Sequence, residues 1–580
     1  MNHNISNMMR LGKSIIILPL VFFMLNRHAI CQEPAIKREI TLYNPYKPSL
    51  HDVIKKSFLP DMTDTAKTKA VVSYDITTRP YTPAYTISPL KAATMQPEAL
   101  SKLYNGYIKL GLGNYLTPLA ELSVTNLRSK SGIAGFYANH FSTNGNIRLD
   151  NGKKIFAGYM DNNANLYGRK FLRESFIGGN IGFMQKTRHA YGYNPAFDDY
   201  DPAKKDIRMN YFEASASAEI SSMKTDSTEL LYNASVNYSF FNSGKNLFSH
   251  LFNISAAAGK ELKGFYVSSG IEYEYYRPSA WISSEAGYLF ALSPSVRKKT
   301  ADWNAKLGAE ICIDKFTGDN EAKLHIYPDL RFGFSIIPSY LSFFAELSGK
   351  LEKNRPGNVV VMNPFIISDE LYRIRNTSIP VIVRAGLEGE TGIEGMYRLS
   401  ASYSAANDYL LFVNYGSFLG SVNIERGNYF KPVNDDIEIL NLKGETSGRI
   451  DRHFTFTAEA NYYKYTLTEY EYAWGKPSWD ARFILNYSLR DKITASFGMN
   501  ATGDRHFRAM VQDLSIPGIS SDLTEKVPAH INFSLGAGYR YTKILSFWLK
   551  INNISFSRYY EWYWYPSYRF ICQAGFTYSL

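Results

Sequence analysis

The chain has 580 residues, a formal net charge of +11 and 15% aromatic residues, among which tyrosine, with 44 copies, is the commonest. A mean hydropathy of −0.25 is too polar for a bundle of membrane-spanning helices, which need about 20 consecutive apolar residues each. The basic residues are spread along the chain rather than clustered, which argues against a nucleic-acid-binding protein. The three cysteines, Cys31, Cys312 and Cys572, form no Cys-x-x-Cys or Cys/His motif, so no zinc or redox site is indicated.

Residues 1–31 have the parts of a secretory signal peptide. Basic residues precede an apolar core at 14–25, and small residues occupy both positions that define cleavage. The mature chain would then begin at Gln32. The alternative is a lipoprotein acylated on Cys31, although Ile30 is a poor residue at a position where a small one is usual. The apolar core is too short to span a membrane as a helix.

Residues 32–103 differ in character from the rest of the chain. They show no sustained alternation and are rich in proline, with Pro45, Pro48, Pro60, Pro80, Pro83, Pro89 and Pro97. Proline lacks the amide donor that a strand ladder needs. We therefore expect a periplasmic segment, or one folded partly into a barrel mouth as a plug-like element.

From Tyr104 to Leu580, segments of about ten to fifteen residues alternate between apolar and small or polar side chains, the two-residue period of strands with one apolar face. The last strand is typical. Its apolar face contains Phe570, Cys572, Ala574, Phe576, Tyr578 and Leu580. A soluble sheet would rarely leave such an edge free, whereas a barrel pairs its last strand with its first.

The connections between these segments fall into two length classes. The short ones lie at 128–131, 173–174, 224–228, 261–263, 338–339, 392–395, 449–452, 490–491 and 542–543. Most of the long ones alternate with them, at 144–162, 193–207, 352–378, 405–435, 469–478, 503–528 and 557–566. Short periplasmic turns and long extracellular loops are typical of outer-membrane barrels.

The pattern predicts an all-β, transmembrane, antiparallel up-and-down barrel of about 22 strands in a Gram-negative outer membrane, with both termini in the periplasm. Two features leave the count open by about two strands. Leu410–Val413 has the pattern of an additional strand within a loop, and the connection at 316–320 is short for an extracellular loop.

The C-terminal region resembles the last two strands of TonB-dependent outer-membrane receptors. The similar stretches are Leu545–Asn553, Tyr559–Trp562, Pro566–Phe570 and Gly575–Tyr578. Gly111–Tyr115 with Thr117 and Pro118 resembles a plug-poor group of such barrels of Bacteroidota type.

The resemblance implies a receptor or transporter that takes up a solute. Residues 32–103 are too few for the plug domain of a full receptor. Within them, Glu39, Ile40, Thr41 and Leu42 loosely match the box that contacts TonB. A barrel of this size encloses a lumen wide enough to leak, so we expect the proline-rich segment and the long loops, or a partner, to occlude it.

Two acidic groups are candidate Ca²⁺ ligands, because carboxylate and amide oxygens suit that ion. The better group is Asp198, Asp199 and Asp201; the other is Asp161 with Asn162 and Asn163. The alternative interpretation of each is an ordinary polar loop.

The aromatic run at 559–565 could stack on sugar rings through Tyr559, Tyr560, Trp562 and Trp564, or form an interfacial girdle at the outer rim, which we favour. No catalytic sequence motif is present. The best acid/His pair, Asp504 with His506, is interpreted as a solvated loop tip.

The sequence thus predicts a non-enzymatic barrel without a cofactor, for passage or surface capture of a solute. The alternative is an occluded barrel that serves as a structural or accessory subunit of an outer-membrane complex, and a surface enzyme is a third hypothesis. Expected partners are outer-membrane lipid, the barrel-assembly machinery that recognises the last strand, and other outer-membrane or periplasmic proteins.

Overall fold

The computed structural model describes residues 104–580, apart from 127–128, 196–199, 225, 245, 393, 418–425 and 513–519. The predicted signal peptide, the proline-rich segment and the TonB-box-like residues Glu39–Leu42 lie outside the described residues. In the described part, no helix combines the length and apolar character needed to cross a membrane.

Strands form most of the described chain, and 22 of them close into one antiparallel barrel. The strands are β1 (Gly106–Gly113), β2 (Leu119–Thr125), β3 (Gly132–Thr143), β4 (Asn146–Arg148), β5 (Lys154–Phe156), β6 (Tyr159–Phe171), β7 (Ser175–His189), β8 (Arg208–Ser222), β9 (Leu231–Gly244), β10 (Leu247–Leu262), β11 (Phe265–Pro278), β12 (Gly287–Lys299), β13 (Trp303–Lys315), β14 (Lys323–Ile337), β15 (Leu341–Glu352), β16 (Thr377–Thr391), β17 (Gly395–Ser417), β18 (Arg426–Arg449), β19 (Phe454–Leu467), β20 (Trp479–Leu489), β21 (Ile493–Thr502), β22 (Arg505–Gln512), β23 (Ser520–Val527), β24 (His530–Arg540), β25 (Leu545–Asn552), β26 (Tyr560–Trp562), β27 (Tyr565–Pro566) and β28 (Ile571–Ser579).

Six of these strands belong to connections rather than to the wall: the hairpins β4–β5, β22–β23 and β26–β27. The connection between β15 and β16 also contains a helix, α1 (Pro356–Met362), and a 3₁₀ turn, Glu370–Tyr372.

The barrel closes through β28, which pairs with β25 on one side and with β1 on the other. Leu110 lies opposite Phe576. The ladder continues to the end of the chain, where the Leu580 amide donates to the Gly106 carbonyl at 2.8 Å and the Asn105 amide donates to Leu580 at 3.1 Å. Closure removes the unpaired edge that a terminal strand would otherwise expose, as the sequence predicted.

The two faces of the last strand differ as predicted. Phe576, Tyr578 and Leu580 are 39%, 42% and 45% exposed on the outside, whereas Gln573, on the opposite face, is 3% exposed. Large apolar side chains are exposed in the same alternating way around the wall, for example Ile181 on β7 and Leu307 on β13. This band matches the surface that lipid requires.

The connections also divide as predicted. Those at the end of the barrel where β1 begins and β28 ends, here called the inner end, are short turns. Most of those at the opposite, outer end are long, although the β1–β2, β9–β10 and β13–β14 connections are short and still lie at the outer end.

One prediction about the loops was wrong. Most of residues 405–435 belong to strands, because β17 and β18 continue far beyond their neighbours as a paired ribbon. Leu410–Val413 is part of β17, with Leu411 opposite Val433, so it adds no strand to the count. Its continuous apolar character has a different cause: both faces of this ribbon are covered at the outer end, where Leu411 and Val413 are fully buried.

Candidate functional site

The largest buried core of the described chain lies at the outer end of the barrel and is made from connections. We call it the loop cap. Its residues come from the β3–β6, β7–β8, β15–β16 and β25–β28 connections and from the outer ends of β8, β9, β17 and β18. They are Ile147, Leu149, Ile155, Ala157, Ala190, Tyr191, Tyr193, Ile207, Met209, Tyr211, Phe241, Val359, Val360, Phe365, Ile366, Leu371, Tyr372, Ile374, Leu410, Phe412, Phe430 and Tyr565. Burial of each large side chain contributes roughly 1.5–3 kcal/mol.

The β15–β16 connection crosses the barrel mouth. On one side it pairs with β18, where the Phe430 amide donates to the Phe365 carbonyl at 2.9 Å and the Ile367 amide donates to the Phe430 carbonyl at 3.0 Å. On the other side, the Tyr372 hydroxyl donates to the Leu247 carbonyl of β10 at 2.6 Å. Four strands, β11–β14, separate β10 from β15 along the wall. The connection therefore spans part of the opening rather than following the rim.

Charged groups anchor the base of this connection in the lumen. Arg355 forms an ion pair with Glu274 of β11, and Lys353 lies 2.6 Å from Glu272 and 3.5 Å from Glu274. The side chains of Glu274 and Arg355 are 5% and 13% exposed. Since removal of one partner leaves a buried charge unpaired, this pair fixes where the connection leaves the wall.

The aromatic run at 559–565 packs on the loop cap through Tyr565 and Trp562 and does not form a lipid-facing girdle, so the favoured interpretation was wrong. Tyr565 is fully buried and stacks on Phe365, with ring centroids 4.0 Å apart and planes 27° from parallel. Trp562 packs edge-on against Phe430 at 5.0 Å. The chain turns inward at the β26–β27 hairpin, where Trp564 has a φ of +63°, and this directs the run toward the barrel axis.

A cavity of about 390 Å³ lies between the loop cap and the barrel wall, and we call it the outer cavity. It is lined by Ala157, Gly158, Tyr159, Arg188, His189, Tyr191, Pro364, Phe365, Asn532, Asn552, Asn553, Tyr559, Glu561, Trp562, Ser567, Tyr568 and Ile571. Aromatic rings form much of one side, and amides and charges form the rest. Polar and apolar groups contribute about equally to the lining, and convergent polar groups beside aromatic rings are features of a small-molecule site.

The charges of the outer cavity are positioned by the wall strands β6 and β7 and by the β22–β23 and β26–β27 hairpins. Arg188 of β7 contacts the Asp161 carboxylate of β6 at 2.9 Å and its guanidinium lies 5.1 Å from the Tyr159 ring. Arg505 donates to the Glu561 carbonyl at 2.8 Å and to the Tyr560 carbonyl. Desolvation raises the pKa of the Glu561 carboxyl, although the residue keeps contact with solvent and Arg188 and Arg505 act in the opposite direction. The cavity therefore presents a guanidinium that is paired with Asp161 and a solvent-accessible carboxyl.

Two of the four predicted aromatic ligand residues line this cavity, namely Tyr559 and Trp562. Tyr559 is stacked on His530, with ring centroids 4.3 Å apart. Tyr560 instead donates to Asp150 at 2.6 Å, and Trp564 packs in a small cluster with Ala509. The sequence reasoning missed Arg188, Glu561 and Phe365. The local sequence signal that could have marked Glu561 as a site residue is that it is a carboxylate within an aromatic run.

The predicted cation ligands are not brought together in the part of the chain that the structure describes. Asp198 and Asp199 lie outside the described residues, and Asp201 is exposed. Asp161 is paired with Arg188 and, at 3.7 Å, with Lys186. Across the described ranges, no group of three or more His, Cys, Asp or Glu side chains could hold a metal ion.

The two residues of the acid/His pair, Asp504 and His506, are each held by other neighbours. Asp504 accepts from Lys526 at 2.6 Å and from the Ala529 amide at 2.7 Å. His506 stacks on Tyr472, with ring centroids 4.0 Å apart. These contacts hold Asp504 ionised and lower its pKa. Each residue thus has a structural role in the loops.

Several solved outer-membrane proteins have a similar fold. The siderophore receptor PirA from Acinetobacter baumannii matches with a TM-score of 0.62 and 10% identity, over 83% of this chain and 81% of that one. The FrpB iron transporter from Neisseria meningitidis matches with 0.60 and 11%, over 83% and 82%. The pyoverdine receptor FpvA from Pseudomonas aeruginosa PAO1 matches with 0.59 and 11%, over 83% and 79%.

No protein-family model matches the sequence, and no curated protein does. At these identities the similarity shows the fold, which is the 22-strand barrel of TonB-dependent outer-membrane receptors. The closed barrel, its apolar outer band and its structural neighbours assign the chain to a Gram-negative outer membrane. The inner end of the barrel is thus periplasmic and the outer end extracellular.

Proposed function

We propose that the protein is a receptor-like barrel that captures a small solute at the cell surface for passage into the lumen. The outer cavity carries this proposal. It lies at the extracellular end, and it combines aromatic rings with the Arg188 guanidinium and the Glu561 carboxyl. The structural neighbours that are described as siderophore receptors and iron transporters support the same class of role.

The chemistry of the cavity suggests a solute with a flat ring face and polar substituents. Tyr559, Trp562 and Phe365 offer rings for stacking, which contributes about 0.5–1.5 kcal/mol per pair beyond burial. Arg188 adds a planar guanidinium edge whose charge is shared with Asp161. Asn532 and Asn553 add neutral donors and acceptors for hydroxyl groups.

Passage requires a removable obstruction, because the packed loop cap spans the mouth. In this proposal the β15–β16 connection moves aside when solute binds, and residues 32–103 act as a reduced plug. Glu39–Leu42 would then contact TonB to supply energy. The stretch Gly111–Tyr115 supports a place in the plug-poor group of Bacteroidota-type barrels.

The packing of the loop cap favours a second candidate. Tyr565, Leu371 and Ile366 are at most 1% exposed, which suits an obstruction that never opens. In that case the barrel is an accessory subunit whose loops and periplasmic segment bind other proteins.

One purification separates the two candidates. The full-length protein is extracted from native membranes in mild detergent, and co-purifying proteins and small molecules released on denaturation are identified by mass spectrometry. A receptor yields a solute that is lost in Tyr559→Ala and retained in Trp281→Ala, a control aromatic that is 73% exposed in another extracellular loop. A protein partner at a fixed ratio, without any solute, would support the accessory role and overturn the receptor proposal.

A further inference from the structure

A second cavity, of about 270 Å³, lies above the outer ends of β28 and β1, where the barrel closes. We call it the seam pocket. Its walls come from the β1–β2 turn, the β4–β5 hairpin and the chain before β28. It shares Ser567 and Tyr568 with the outer cavity but has a different chemical character.

The seam pocket is strongly basic. Arg148, Lys154, Arg558 and Arg569 all line it, and none of its lining residues is acidic. The nearby Asp150 offsets only part of this charge, because its carboxylate contacts Arg558 at 2.8 Å and accepts from a tyrosine hydroxyl. Within the described residues, no ion pair involves Arg148, Lys154 or Arg569. The pocket thus concentrates positive charge at the cell surface, which attracts anions.

Two of these cations lie next to each other, and a bound anion would reduce their repulsion. Arg148 and Lys154 are direct cross-strand partners in the β4–β5 hairpin, and like charges in that position destabilise a strand pair. The hairpin is fixed in this register, because Ile147 and Ile155, on its other face, are buried in the loop cap. The backbone therefore keeps both exposed cations on the same face of the hairpin, beside the pocket.

Arg558 provides an independent observation. Its Nε atom is buried and has no hydrogen-bond partner among the described residues. A buried donor without a partner is costly, and an acceptor in the seam pocket would satisfy it. An anion bound there would neutralise the opposed pair and accept from Arg558 at the same time.

The remaining wall is aromatic. Tyr115 and Tyr568 have ring centroids 4.8 Å apart with planes 50° from parallel. The Tyr568 hydroxyl donates to the Gly145 carbonyl at 3.2 Å, which holds this ring beside the hairpin. Rings of this kind pack against the apolar face of a sugar, while the basic groups bind its anionic substituent.

We propose that the seam pocket binds a phosphorylated sugar. Guanidinium groups suit phosphate because they donate two parallel hydrogen bonds. The ligand has two sources at this position: a free sugar phosphate, or the phosphorylated sugar headgroup of a glycolipid in the outer leaflet beside the rim. The proposal does not depend on which solute enters the outer cavity.

The first experiment tests the free sugar. Glucose 1-phosphate and uncharged glucose are titrated by calorimetry into the full-length protein in detergent, at low and high salt. We expect saturable binding of the phosphate alone. The double variant Arg148→Ala/Lys154→Ala should weaken it by about tenfold or more and reduce its salt dependence, since charge-assisted hydrogen bonds are lost.

The control is Lys205→Ala, which removes an exposed cation from another extracellular loop and should bind as the unaltered protein does. A shift in electrophoretic mobility on heating shows that each variant is folded.

The second experiment tests the lipid source. The protein is reconstituted into phosphatidylcholine nanodiscs with lipopolysaccharide, with dephosphorylated lipopolysaccharide, or with neither, and its unfolding temperature is measured. Stabilisation by the phosphorylated form alone, absent in the double variant, assigns the pocket to the membrane's own glycolipid. If the unaltered protein responds to neither probe, or if the double variant responds equally, the proposal is overturned. Loss of the co-purifying solute in Tyr559→Ala reports separately on the outer cavity.

Discussion

The contact between Tyr565 and Phe365 offers a direct test of the loop cap. Tyr565 is 0% exposed, and its ring lies between Phe365 at 4.0 Å and Tyr191 at 4.9 Å. Truncation of a buried large aromatic costs about 3–5 kcal/mol. Since the ring joins the last extracellular loop to the β15–β16 connection, Tyr565→Ala should destabilise the loop cap while leaving the barrel wall intact.

Hydrogen exchange of the backbone measures this effect locally. The Ile367 amide donates to Phe430, so it exchanges only when the connection opens. A loss of about 3 kcal/mol raises its exchange rate on the order of a hundredfold, while amides of β1 and β28 keep their protection. The control is Trp281→Ala, whose ring is 73% exposed. Unchanged exchange at Ile367 in Tyr565→Ala would refute the conclusion that these loops form one packed core.

Three further predictions concern charge and closure. Arg355→Met should lower the free energy of unfolding by about 3–5 kcal/mol, measured by chemical denaturation in lipid vesicles, because Glu274 loses its closest partner. The double variant Glu274→Leu/Arg355→Met should recover most of that stability. An equal loss of stability in the single and double variants would contradict the pairing. Desolvation raises the pKa of Glu561, so the folded state holds its proton more tightly than the unfolded state and stability falls as pH rises above 4.5, by a small amount because the residue is exposed. Glu561→Gln should flatten that fall between pH 4.5 and neutrality, and parallel melting curves would argue against it. Deletion of Phe576–Leu580 removes much of the ladder to β1 and should abolish accumulation in the outer membrane, so normal membrane levels of the truncated chain would contradict closure by this strand.

The loop cap also changes how occlusion is understood. A lumen enclosed by 22 strands is wide enough to need an obstruction. The extracellular connections cover part of the opening, because Arg355 and Lys353 anchor the base of the β15–β16 connection to Glu272 and Glu274 across the lumen. The contribution of residues 32–103 remains a prediction.

The amino-acid sequence by itself determined the barrel. Strand alternation is a local property, because neighbouring side chains on a strand face opposite sides. The apolar band can therefore be predicted from single strands such as β28. The alternation of short and long connections indicates which end of the barrel is periplasmic and which is extracellular. Closure follows from the same pattern, since an exposed apolar terminal strand requires a partner.

Only the tertiary structure decided what lies at the mouth. Tyr191 donates to the Pro566 carbonyl at 2.9 Å although 375 positions separate them, and no local pattern links such residues. For the same reason the aromatic run at 559–565 could be recognised but not located, because a girdle and a buried core use the same side chains. The outer cavity and the seam pocket exist only because distant loops fold inward over the barrel and pack against one another.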